Sequence, residues 1–266
     1  MKIETNLRHA LEKNEFHLVY QPQIRVSDKS IIGAEALLRW QNDRLGFVPP
    51  DQFISIAEET GMILPIGEWV LRAACKQFMR WRKTGILLQQ LAVNVSLKQV
   101  KQPGFSETVS AILLDTGMPP KNLELEITES LLADDTSQVS ATLSTLRDMG
   151  VKIAIDDFGA GYSSFAYLAL FPINILKIDK SFMDKIATNS NSTAIVKGII
   201  AMAHALNLKT TAEGIETDIQ LQFINHLDCE YAQGYLISKP LPAEEFEEFL
   251  RKSKIQHHGH IQRAMK

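Results

Sequence analysis

Apolar positions along the chain fall into two alternating rhythms. "FHLVYQPQ" (16–23) and "IIGAEALLRW" (31–40) carry the loose period-two alternation of strands and lie close together, which predicts an antiparallel opening pair. "PDQFISIAEETG" and "IGEWVLRAACKQFMRWRKTG" read as helices, the second with apolar residues at helical spacing. Beyond them, short β-rich segments ("LAVNVS", "LELEIT", "VKIAID", "INILKID", "KTTAEGI", "CEYAQGYLI") alternate with amphipathic ones. The latter are "SETVSAILLDTG", "TSQVSATLSTLRDMG", "YSSFAYLAL", "NSTAIVKGIIAMAHALN", "TDIQLQFINHL" and "PAEEFEEFLRKS". Such alternation predicts a parallel sheet covered by helices. About eight strands without a linker or low-complexity run favour one closed α/β barrel over an open sheet. The expected domain is 1–252, with 253–266 a tail that is either a helical extension or flexible.

Composition narrows the classes. The 266 residues are 45% apolar and 22% charged, ordinary for a globular protein. A net charge of −3 gives no reason to expect a nucleic-acid polymer as partner, and leaves a small anionic ligand open. The two cysteines, Cys75 and Cys229, form no CxxC and no disulfide framework, which suggests a reducing, cytoplasmic setting. No apolar stretch reaches membrane-spanning length, so no membrane contact by this chain is expected. The polar N-terminus lacks the apolar core of a signal peptide. Three of the seven histidines fall in the tail "KSKIQHHGHIQRAMK", read as a solvated helical tail before a metal-binding tract.

In a barrel the chemistry sits at the C-terminal ends of the strands. Polar residues collect there. Glu35 lies in the second strand, Asn94 late in "LAVNVS", and Glu126 late in "LELEIT" with Glu129 beyond it. Asp156 and Asp157 end "VKIAIDD", Lys177 and Asp179 end "INILKID", and Glu213 ends "KTTAE" with Glu216 after it; Gln233 sits in "YAQGY". Any one of these reads as a solvated strand end or a helix cap. Together, aimed at one mouth, the carboxylates would raise one another's pKa unless cations were bound. Oxygen donors of this kind suit hard divalent cations, and the absence of a His/Cys cluster disfavours zinc. Composition and spacing therefore support a Mg2+ or Mn2+ site of one or two ions. Glu35, in an apolar strand, needs a partner to offset burial. A metal ion is expected there rather than an arginine. Arg39, four residues on, shares Glu35's strand face.

"EALLRW" (35–40), "NVS" (94–96), "ELEITES" (124–130), "DDFGAGYSS" (156–164), "LKID" (176–179), "AEGIE" (212–216) and "QGYLISKP" (233–240) occur in one order. On these motifs the chain resembles EAL-domain cyclic-di-GMP phosphodiesterases over residues 4–252. The resemblance implies a modified TIM (β/α)8 barrel with an antiparallel first strand, hydrolysing cyclic di-GMP to linear pGpG. It implies metal ligands Glu35, Asn94, Glu126 and Asp156, with Asp157 and Glu213 completing a two-ion Mg2+ or Mn2+ site. Lys177 would lie beside the attacking water, and Glu213 would be a candidate general base. Gln21, Leu37, Arg39, Asp179, Glu216, Gln233 and Tyr235 would contact the ligand. Glu129 would anchor the loop "DFGAGYSS", which the resemblance ties to the metal site and to homodimer contacts. A sensory or cyclase-like domain upstream is also implied, and a full-length parent could carry a membrane anchor. One departure is Ala160, where the commoner form has Thr; Glu129, Gly159 and Gly161 remain. A non-cleaving receptor of the same family would have lost several ligands or the loop glutamate, and each of those positions keeps the expected residue. A barrel glycosidase needs two carboxylates rather than a ring of them, and a sugar cleft is usually lined with aromatics; only three tryptophans are present.

Overall fold

The first two strands are held together by a short polar turn. β1 (Phe16–Arg25) and β2 (Ile31–Asn42) pair antiparallel, in register from Phe16 opposite Trp40 to Gln23 opposite Gly33. In the turn, Asp28 accepts from the Ser30 amide and from the Arg25 guanidinium, each at 2.9 Å, and Lys29 takes a left-handed φ of 55°. The computed structural model describes residues 2–129, 136–159, 168, 170–186 and 190–264.

From β2 the sheet continues through β4 (Gln90–Asn94), β5 (Leu123–Thr128), β6 (Lys152–Phe158), β7 (Ile175–Ile178), β8 (Lys209–Ala212) and β9 (Tyr231–Gln233). Each of these is parallel to the strand before it. β9 then meets β1 antiparallel, which closes a ring of eight strands. Two short strands, β3 (Gly46–Val48) and β10 (Leu241–Pro242), extend β2 and β1 outside the ring. The expected modified TIM barrel with an antiparallel first strand is therefore what the chain forms.

Helices cover the outside: α1 (Lys2–Leu7), α2 (Pro50–Thr60), α3 (Ile63–Lys83), α4 (Leu97–Val100), α5 (Phe105–Thr116), α6 (Thr136–Asp148), α7 (Lys180–Met183), α8 (Ser190–Ala205), α9 (Asp218–Asn225) and α10 (Ala243–Ala264). The core lies between ring and helices. Tyr20 on the outer face of β1 meets Trp81 of α3 edge-on at 4.7 Å, and Trp81 meets Phe246 of α10 at 4.9 Å. Alternation along β1 turns Gln21 and Gln23 to the other face, into the barrel.

Two strand boundaries differ from the sequence pattern. The strand expected over "CEYAQGYLI" stops at Gln233. Beyond it the Ile237 and Ser238 amides turn back to the Gly234 carbonyl, at 3.1 and 3.2 Å. The strand of "KTTAEGI" ends at Ala212. The last helix runs without interruption past 253 to Ala264. The short helix read over "YSSFAYLAL" lies, apart from Leu168 and Leu170, outside the described residues. No described helix is long and apolar enough to cross a membrane.

Candidate active site

The ends of the parallel strands converge on one lysine. Lys177 of β7 is fully buried, and its Nζ lies 2.8 Å from Glu126 Oε1 of β5 and 2.8 Å from Glu213 Oε1 just after β8. It is also 3.1 Å from Asp156 Oδ1 of β6 and 3.8 Å from Glu35 Oε2 of β2. Burial opposes a charge on Lys177, but Asp156, Glu126, Glu213 and Glu35 outweigh it and push its pKa well above the ordinary lysine value. The partner that makes Glu35 tolerable in its apolar strand is thus, in the first place, an ammonium. Two amides complete its setting: Asn94 Nδ2 donates to Glu35 Oε1 at 2.6 Å, and Gln233 Nε2 donates to Oε2. Burial alone would raise Glu35; Lys177 and these donors hold it below the usual carboxylate range.

One lysine does not neutralise the remaining acids. Burial, then the charge of Glu35, pushes Glu126 well up, and its Oε2 has no partner among the described residues. Burial also raises Glu213 to about 8, Lys177 pulling the other way. Burial, with the charges of Asp156 and Asp179, takes Asp157 to about 6. Asp156 and Asp157 are consecutive, and a regular strand would send them to opposite faces. The β6–β7 register slips between Ile155 and Phe158, and Asp157 adopts a left-handed φ of 55°. The slip lets carboxylate oxygens of Asp156, Asp157 and Glu213 lie within 4.8 Å of one another. An excess of converging carboxylates and a buried, unpartnered carboxylate oxygen fit a divalent cation. This acidic cluster could bind a metal.

Two cavities flank the cluster. One, of about 270 Å³, is lined by Gln21, Glu35, Asp156, Glu213, Glu216, Gln233 and Tyr235, together with Lys180. The other, of about 260 Å³, includes Leu37, Arg39 and Asn94. Asp179 lines neither; its carboxylate caps α7 by accepting from the Ser181 amide at 2.9 Å. Glu129 Oε2 accepts from the Gly159 amide at 2.8 Å, at the start of the loop it was expected to anchor. Gly159 has a φ of 95°, and Ala160 and Gly161 lie outside the described residues.

A family model described as the EAL domain matches residues 4–240. The chain belongs to the EAL domain family. Curated relatives include the bifunctional diguanylate cyclase/cyclic di-GMP phosphodiesterase MucR of Pseudomonas aeruginosa, 43% identical over 240 residues, which are 90% of this chain and 35% of MucR. The cyclic di-GMP phosphodiesterase NbdA of the same organism is 41% identical over 251 residues, 94% of this chain and 32% of NbdA. This EAL chain thus spans about a third of the length of these relatives. Among solved structures, a MucR phosphodiesterase in complex with c-di-GMP superposes with a TM-score of 0.88 at 42% identity, covering 92% of this chain and all of that one.

Sequence reasoning passed over several polar residues of this EAL barrel, Lys180, Gln23, Gln90 and Lys152 among them. Lys180 reaches the first cavity from the first residue of α7. Gln23 and Gln90, both buried, and the half-buried Lys152 form a hydrogen-bonded chain beneath Glu35. Their only sequence signal is a polar residue at an inward strand position.

Proposed function

We propose that this EAL domain hydrolyses one phosphodiester of cyclic di-GMP to linear pGpG, assisted by Mg2+ or Mn2+, two ions per site. The observation that carries the reading is the convergence of Glu35, Glu126, Asp156 and Glu213 around Lys177, with Asn94 on Glu35 and Asp157 beside Asp156. Glu35, Asn94, Glu126 and Asp156, with Asp157 and Glu213, would hold the cations. When bound, these supply charge neutralisation and Lewis-acid polarisation of the phosphodiester oxygens. Lys177, held protonated by its neighbours, keeps a fixed positive charge beside the reacting phosphate. Glu213, with Oε1 engaged by Lys177, is the candidate general base; it can take a proton from the attacking water only once bound cations have displaced the proton that burial favours on it. The two cavities suit a dinucleotide whose two halves straddle Glu35 and Asn94. Gln21, Glu216, Gln233 and Tyr235 would meet one half, Leu37 and Arg39 the other, and Asp179 would act from the rim beside Asp157. Relatives named as phosphodiesterases and the c-di-GMP complex of MucR support the substrate. A cytoplasmic setting, a homodimer, and a sensory or cyclase-like domain elsewhere in a longer parent belong to the same reading; the greater length of the relatives supports the last.

The test is to incubate purified protein with cyclic di-GMP and Mg2+ or Mn2+ and follow the products by chromatography. The expected product is pGpG, abolished by EDTA and by Glu35→Ala. Measurable binding of cyclic di-GMP without any pGpG would refute hydrolysis and make the domain a receptor.

A further inference from the structure

Below the carboxylates, one strand level deeper in the barrel, runs an uninterrupted line of buried amides. Lys152 Nζ, at the first residue of β6, donates to Gln90 Oε1 at 3.0 Å. Gln90 Nε2 donates to Gln23 Oε1 at 2.9 Å, and Gln23 Nε2 to Gln233 Oε1 at 3.1 Å. Gln233 Nε2 then spends one N–H on Glu35 Oε2 and the other on Gln21 Oε1, the latter at 2.9 Å. Gln23, Gln90 and Gln233 are at most 5% exposed.

Gly33 makes the line possible. It pairs with Gln23 on one side and with Gln90 on the other. A Cβ at Gly33 would stand 2.5 Å from Gln90 Cγ and 2.6 Å from the Gln90 carbonyl oxygen. Without that Cβ, the Gln90 side chain can cross β2 to reach β1.

The two ends fix the direction of every link. An ammonium only donates and a carboxylate only accepts, whereas a glutamine amide can turn either way. With Lys152 at one end, Gln90 must present its oxygen to the lysine and its NH2 to Gln23. The same constraint passes to Gln23 and then to Gln233, whose NH2 is thereby aimed at Glu35. Were the Gln233 amide reversed, its oxygen would face a carboxylate oxygen.

We propose that Gln23, Gln90 and Lys152 are positioning residues. By fixing the amide of Gln233 they set the Glu35 carboxylate in the orientation that binds a divalent cation. The inference rests on reading Glu35 as a cation ligand. Partners behind a metal ligand commonly change metal affinity about 10- to 100-fold when removed.

Mn2+ affinity, measured by calorimetry and by electron paramagnetic resonance of free Mn2+, tests it. Wild type, Glu35→Gln, Lys152→Met, Lys152→Arg, Gln23→Leu and the Lys152→Met/Gln23→Leu double variant are compared, with thermal melting as the check on folding. Gln23→Leu is expected to weaken Mn2+ binding about tenfold, the lower end of that range, and Lys152→Met, two links further from Glu35, about threefold, below it. Lys152→Arg, which keeps the donor, should stay near wild type. The sign is diagnostic: removing a distant positive charge by electrostatics alone would tighten cation binding. In the double variant, Lys152→Met should add nothing to Gln23→Leu, because the line is already cut. If Gln23→Leu does not fold, Gln90→Met cuts the same line.

Unchanged or tighter binding in Lys152→Met overturns the relay, as does additivity in the double variant or a Lys152→Arg as weak as Lys152→Met. A wild type that takes up no Mn2+, or a Glu35→Gln that binds it equally well, overturns the cation-ligand reading and the relay with it. The two failures are therefore distinguishable.

Discussion

Replacing Lys177 with methionine removes the cation at the centre of the barrel while keeping much of its volume. At an effective dielectric of about 20, each 2.8 Å contact, to Glu126 and to Glu213, would be worth about 6 kcal/mol before desolvation with the carboxylate ionised, an upper bound because burial favours the neutral form of both. Burying the ammonium offsets several kcal/mol of that gain. Removing one member of a buried charge cluster typically leaves a net loss of about 3–5 kcal/mol, because the remaining charges are uncompensated. Here the carboxylates can respond by binding protons, since Glu126 and Glu213 already favour the neutral form. The expected loss at pH 7 without metal is therefore about 3 kcal/mol, the lower end of that range. For a domain of this size it corresponds to a fall in Tm of about 6–12 °C. The loss should shrink at pH 5, where more of the carboxylates are protonated and need no counter-charge. Urea and thermal melts in EDTA at both pH values measure it. A Lys177→Met protein within about 1 kcal/mol of wild type at pH 7, or one hurt more at pH 5 than at pH 7, would refute this account of the cluster.

Gly234 passes so close to Ile215 that an added Cβ would lie inside contact distance of its backbone N and O and 2.6 Å from its carbonyl carbon. Gly234→Ala should push apart the segments carrying Glu213 and Gln233, lowering stability by about 1–3 kcal/mol and turnover with it; wild-type melting and turnover would show that the backbones yield freely. Metal affinity should rise with pH between about 6 and 8. Asp157 and Glu213 have raised values of about 6 and 8, and a protonated carboxyl must lose its proton before it can ligate. Calorimetry in buffers of different ionisation enthalpy should accordingly record proton release on Mn2+ binding, and a flat affinity profile across that window would contradict the assignment.

Much of this protein is written locally in its sequence. Strand and helix rhythms depend on neighbours two to four residues apart, so the alternation, the antiparallel start and the polar strand ends could be read directly. Segment ends were less legible. The strand at "CEYAQGYLI" stops at Gln233, and just beyond it Gly234 packs against the backbone of Ile215 after the neighbouring β8, a contact between residues far apart in the chain that leaves no local trace. Motif order identified Asp156 and Asp157 as a pair, yet the register slip that lets both carboxylates face Glu213 belongs to the sheet.

The sequence by itself determined the barrel, because burying one face of each strand requires the period-two pattern that the chain carries, and it determined which strand ends are acidic. Only the tertiary structure decided who partners whom. Lys177, expected beside a water, is the counter-charge for four carboxylates drawn from within or just beyond four other strands. The links from Lys152 to Gln90, Gln90 to Gln23 and Gln23 to Gln233 join residues 62, 67 and 210 positions apart. Closure of the ring brings them together, because a hydrogen bond depends on distance in space and a sequence pattern records only distance along the chain.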